Sequence, residues 1–158
     1  MKLSEIVVQD AVITELASTD RDAVVGEMVD ALVESGAIDA SQRTAVFNAI
    51  IERERRGSTG FGKGVAVPHV RHQQAERVSL AIGLSQRGVD FNSLDKQPVY
   101  TVFLLVSPAQ KHEEHLRAME VIFKNLSMDT FRRFLRQAST RDEVISLLAE
   151  ADGRQFTA

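Results

Sequence analysis

Few side chains in this sequence could do chemistry, and they are unevenly placed. Four histidines fall into two pairs, His69 with His72 and His112 with His115. Just ahead of the first pair runs GSTGFGKG, residues Gly57 to Gly64, with four glycines in eight positions. Such a segment is a loop with special backbone angles, or one that brings backbone N–H groups close to something. Arg53 lies three residues past Ile50 on a helical stripe, where another apolar residue is expected. There is no cysteine. Disulfides, thiolate zinc sites, iron–sulfur clusters and cysteine nucleophiles are therefore excluded.

Several chemistries can be weighed against these residues. Two histidine pairs invite a zinc site from His69, His112, His115 and a carboxylate. Each pair is spaced i, i+3, however, and HEEH at 112–115 is not the HExxH of zinc proteases. Ser58 lies in the glycine-rich loop, but GSTG is not the GxSxG elbow of serine hydrolases. Nor do the 22 acidic residues single out a catalytic carboxylate pair. Phosphoryl transfer through histidine itself fits better. A neutral imidazole nitrogen can attack a phosphoryl donor near neutral pH. The adduct then needs donors around its charge, and arginine, backbone N–H groups or a second imidazole can supply them. The alternative is purely structural, with His72 and His112 in solvent and His69 and His115 as polar residues at the edge of the core.

The elements that would hold these groups read as alternating strands and helices. Thr19 and Asp22 have capping-box spacing, and Val25, Met28, Val29, Leu32 and Val33 recur at helical spacing before Gly36. A second helix is expected from Asp39 to Gly57 with Val46, Ala49 and Ile50 inward. Val65 to Val67 reads as a short strand ended by Pro68, which puts His69 at its carboxyl end. Val78, Leu80, Ile82 and Leu84 alternate with small residues, as in a strand. Residues 99–106 (VYTVFLLV) are apolar almost throughout, as in a strand covered on both faces. Three helices follow, marked by Leu116, Met119, Ile122, Phe123 and Leu126, then Phe131, Phe134 and Leu135, then Val144, Leu147 and Leu148. His115 sits on the first stripe. The expected fold is α/β (α+β), a single mixed sheet sandwiched by helices.

Composition bounds what such a fold can do. The 158 residues suit one domain, residues 1–158, with a core over about 3–150 and a tail at 151–158. A net charge of −3 argues against nucleic acid as a partner, and eight apolar residues are too few to span a bilayer. No secretory signal is visible near Lys2, Glu5 and Asp10, so a soluble cytoplasmic protein is expected. Between Arg53 and Arg77 six cations face only Glu54 and Glu76, a local +4 that leaves −7 for the remainder. An anion site in that window is one meaning of the asymmetry, and a solvated basic face is the other.

The linked pattern RxxxGSTGxGxGxAxPH from Arg53 to His69 resembles the signature of the fructose/mannitol-type enzyme IIA family of the phosphoenolpyruvate-dependent phosphotransferase system. Val89-Asp90-Phe91, Asp95-Lys96-Gln97-Pro98-Val99 and His115-Leu116 resemble later blocks of that family, so the likeness covers essentially the whole chain. It is most like the nitrogen-regulatory branch. The resemblance implies that His69 accepts a phosphoryl group from the phosphohistidine of HPr. It also implies that Arg53 and His115 hold that group, with Gly57, Ser58, Thr59, Gly60, Gly62 and Gly64 forming a phosphoryl-binding loop. It implies the family's mixed-sheet fold, no metal or organic cofactor, and a separate IIB protein or a regulatory target downstream. Val70 stands where the family commonly has glycine, and its β-branch restricts the backbone beside His69.

Overall fold

The computed structural model describes residues 1–154. The apolar patterning resolves into one five-stranded mixed sheet. Its strands are β1 (Val7–Ile13), β2 (Val65–Ala66), β3 (His69–His72), β4 (Ser79–Val89) and β5 (Val99–Pro108). The helices are α1 (Leu3–Ile6), α2 (Arg21–Glu34), α3 (Arg43–Arg56), α4 (His112–Leu126), α5 (Asp129–Gln137) and α6 (Arg141–Arg154). A short 3-10 turn over Ala40–Gln42, capped by Asp39, leads into α3. β1 runs parallel to β4, β4 antiparallel to β5, and β2 and β3 both parallel to β5.

The run of apolar residues in β5 is explained by helices on both faces. Phe103 and Leu105 join one core with Leu3, Ile122, Phe131 and Leu148 of α1, α4, α5 and α6. Val102, Leu104 and Val106 point the other way, into a core with Val25, Met28, Val46 and Ile50 of α2 and α3. The expected sandwich is present. β4 is also covered on both sides, and its small residues let α2 lie close. A Cβ on Gly83 would come within 2.9 Å of Leu16 and 3.0 Å of the Met28 sulfur.

Local details depart from the sequence expectations in instructive ways. Thr19 does not cap α2. Its carbonyl accepts from Asp90 N, and Asp20 instead accepts from Ala23 N at 3.0 Å. Gly36 does end that helix, with a left-handed φ of +84°. The inward stripe of α3 is Val46, Ile50 and Glu54, not Arg53, which lies one position round the helix and half-buried. Leu116 is 48% exposed and does not belong to the buried stripe of α4. Residues 151–154 continue α6, with Ala151 and Asp152 buried, so the core reaches past 150. Asp152 accepts from Leu3 N at 2.7 Å and Ser4 N at 3.1 Å, joining the two ends of the chain. The rest of the expected tail, 155–158, lies outside the described residues. Among the described residues, no helix is long and apolar enough to cross a membrane.

Candidate functional site

Pro68 divides one edge strand into two. β2 pairs Val65 with Thr101 and β3 pairs His69 with Leu105, the same offset, so both pieces follow β5 in one register. His69 therefore opens the second piece and does not lie beyond the end of the strand. Proline brings no N–H to the ladder, but its carbonyl still accepts from Leu105 N at 3.0 Å. The break frees the Val67 carbonyl, and His69 Nδ1 lies 2.7 Å from it. A carbonyl can only accept, so Nδ1 carries the proton. The Nε2 lone pair of a neutral His69 is thereby left available.

His69, Arg53, Arg71, His112 and His115 line one cleft of about 610 Å³ between the end of α3, β3 and the start of α4. The two site histidines meet there, with ring centres 5.8 Å apart. His115 is buried in the first turn of α4, and its Nδ1 lies 2.8 Å from Ser107 Oγ at the end of β5. Arg71 shares the His69 face of β3 by strand alternation, and its Nη1 donates to His112 Nδ1 at 2.7 Å. Arg53 Nη1 donates to the Gly57 carbonyl at 2.9 Å, which ties the cleft wall to the loop. His112 is exposed, as expected, whereas His72 is half-buried and accepts from Gln74 N at 3.2 Å. Val70 fits the extended backbone of β3 and packs on the α2–α3 core.

Burial and neighbouring charges favour the neutral form of both imidazoles. Burial lowers the His69 pKa below its usual 6.5, and the Arg53 charge adds to that, against the Val67 hydrogen bond and Glu54. Burial, together with His69, Arg71 and His112, pushes His115 down to about 4. Two neutral imidazoles can lie side by side without mutual repulsion. Depressed histidine pKa values also make the unfolded chain bind more protons than the folded one in mildly acid solution. Stability is accordingly expected to be full above pH 6.5 and to fall as pH drops from there toward 4. Following ring-proton shifts of His115 by NMR through this range would check it. A midpoint near 6.5 would contradict it.

The glycine-rich loop is placed differently from a phosphate cradle. Gly57, Ser58, Thr59, Gly60, Gly62 and Gly64 do not line the cleft. Several of their donors are already used: Gly57 N by the Glu54 carbonyl, Thr59 N by Glu54 Oε1, and Gly60 N by Ser58 Oγ. Ser58 Oγ in turn donates to the Phe91 carbonyl at 2.9 Å. The loop folds tightly on its neighbours. A Cβ on Gly60 would sit 2.5 Å from Ser93 Oγ, and Gly64 has a φ of +74°. Gly60→Ala is expected to cost about 1–3 kcal/mol through that overlap, read as a lower denaturation midpoint. An unchanged midpoint would show that Ser93 gives way freely.

Sequence reasoning missed three contributors. Glu54 is only 2% exposed, and it accepts from Thr59 N at 3.1 Å and from Thr59 Oγ1 at 2.5 Å. Its position four residues after Ile50 was the available signal. Arg71 was signalled by its i+2 spacing from His69. Ser107 carries no local signal, because only the β5–α4 connection brings it to His115. Among the described residues, no three His, Asp or Glu side chains converge as metal ligands.

Similarity to known proteins gives the chain's family. Residues 5–151 match the family described as phosphoenolpyruvate-dependent sugar phosphotransferase system, EIIA 2. A fructose-specific EIIABC component of Bacillus subtilis is 31% identical over 152 residues, which are 96% of this chain but only 24% of that longer protein. A nitrogen regulatory protein of Bradyrhizobium diazoefficiens is 29% identical over 94% of this chain and 95% of its own. Among solved structures, the nitrogen regulatory protein IIA-Ntr of Neisseria meningitidis superposes with a TM-score of 0.83 at 27% identity, covering 92% of this chain and 98% of that one. Sharing that fold, and matching the family over nearly its whole length, the chain belongs to the EIIA type 2 family of the phosphotransferase system.

Proposed function

We propose that this protein is a histidine phosphocarrier that takes a phosphoryl group from the phosphohistidine of an HPr-type protein onto Nε2 of His69. The observation that carries the proposal is the 2.7 Å contact from His69 Nδ1 to the Val67 carbonyl. It orients the ring and leaves Nε2 as the free nucleophile. In the transfer, a bond forms between His69 Nε2 and phosphorus as the donor's P–N bond breaks. The donor imidazole leaves with that electron pair. Positive charge spreads into the His69 ring, and the Nδ1 proton shares it with Val67. Arg53 and the neutral His115 donate to the phosphoryl oxygens, with Ser107 orienting His115. The loop acts through position, holding Arg53 and Val67, and no cofactor takes part.

Incubation with phosphoenolpyruvate, enzyme I and HPr is expected to add one phosphoryl group that is labile in acid and stable in alkali. Absence of labelling would overturn the proposal. The phosphoryl group is then relayed to a separate IIB protein or kept as a signal read by a regulatory target. The likeness over full length to nitrogen regulatory proteins favours the signal. Pull-downs with phosphorylated and unphosphorylated protein are expected to recover different partners, since a phosphoryl dianion alters any interface laid over the cleft. Identical partner sets would favour relay.

A further inference from the structure

A second cationic hollow lies at the other end of β5. Lys63, Arg132, Arg133 and Arg136 line it with Asp129 and Gln137, around about 580 Å³. Tyr100, beneath Arg136, lies five residues along β5 from Leu105, the partner of His69, or roughly 17 Å of strand. The hollow is thus separate from the His69 cleft. Four cations face a single carboxylate, a local +3 on a protein whose net charge is −3.

Three of the four cations are not consumed by internal pairing. Asp129 is taken by Arg132 at 3.1 Å, and Arg132 also donates to the Leu126 carbonyl at 2.8 Å. Lys63, Arg133 and Arg136 have no carboxylate partner among the described residues. Arg136 is nevertheless held in place. Arg136 stacks on the Tyr100 ring with its guanidinium carbon 3.8 Å from the ring centre. Stacking occupies the face of a guanidinium and leaves its N–H edge directed outward. Lys63 has an exposed side chain on a backbone at a left-handed φ of +60° between Gly62 and Gly64. A lysine in that conformation is strained, and glycine would be easier to accommodate.

We propose that this hollow is a second binding site, for a small ligand carrying linked phosphate groups. Cations lining one hollow, three of them without a carboxylate partner and one stacked in place, favour a compact polyanion. A four-cation patch on an acidic protein is too short for a nucleic-acid track. A peptide would need an apolar pocket for its side chains, and Arg136 covers the aromatic ring that could offer one.

The test uses pyrophosphate and the full chain, by calorimetry and by amide shifts. Shifts are expected at Lys63 and along α5, in the wild type and equally in His69→Ala. Lys63→Gly relieves the backbone while removing a charge, so it should fold well and bind about tenfold more weakly. Arg136→Gln should do the same, with phosphoryl uptake at His69 unchanged. Shifts confined to the His69 cleft, or equal affinity in both variants, would overturn the site. Tighter binding of a polyglutamate peptide than of pyrophosphate would overturn the ligand class. Because His69 labelling is read separately, failure here and failure of the phosphocarrier assignment are distinguishable.

Discussion

His69→Ala is expected to take up no phosphoryl group, with transfer reduced by a factor of at least about 10³. The other two imidazoles of the cleft are expected to be poorer acceptors. His115 is buried, with its Nδ1 engaged by Ser107, and His112 Nδ1 already accepts from Arg71. Arg53→Ala should lower the rate by about 10²-fold while leaving His69 as the labelled residue, because it removes charge stabilisation and not the nucleophile. Rapid-quench labelling of the three proteins against a common HPr donor would measure both effects. Undiminished labelling of His69→Ala would move the acceptor elsewhere.

Glu54→Ala is the substitution with the largest expected effect on stability. The Glu54 carboxylate lies in the core and receives two hydrogen bonds from Thr59. Removing it leaves a buried N–H and a buried hydroxyl without an acceptor. Bonds to a charged group are worth about 1.5–3 kcal/mol each, so a total loss of about 3 kcal/mol is reasonable. For a chain of this size that corresponds to a midpoint about 6–12 °C lower. A rate effect should accompany it. The Thr59 carbonyl accepts from Val67 N at 3.3 Å, and the Val67 carbonyl accepts from His69 Nδ1 at 2.7 Å. Glu54 is therefore the root of a chain of bonds that ends on His69, and it is expected to act as a positioning residue. Differential scanning calorimetry beside a transfer assay would separate the two consequences. Normal stability with normal rate would show that the chain of bonds is incidental.

Much of the fold was legible because burial imposes a period on the sequence. The stripes of α2, α4 and α6 and the unbroken apolar run of β5 are direct consequences of which faces are covered. Failures occurred where one competing contact decided a local detail. Thr19 spends its carbonyl on Asp90, so the cap passes to Asp20. Arg53 and Glu54 are adjacent on one helix turn, and periodicity could not say which of them entered the core.

Which side chains are candidates for phosphoryl chemistry was set by the sequence alone, since reactivity resides in side-chain type and a chain without cysteine removes only thiol chemistry. Their relations were decided by the tertiary structure. Only the break of the edge strand at Pro68 turns the Val67 carbonyl toward His69, and only the β5–α4 junction sets Ser107 against His115. The glycine-rich loop resembled a phosphate cradle, yet three of its backbone donors, at Gly57, Thr59 and Gly60, are used by Glu54 and Ser58. Hydrogen bonds between distant residues depend on distance and angle in space. Linear spacing records neither.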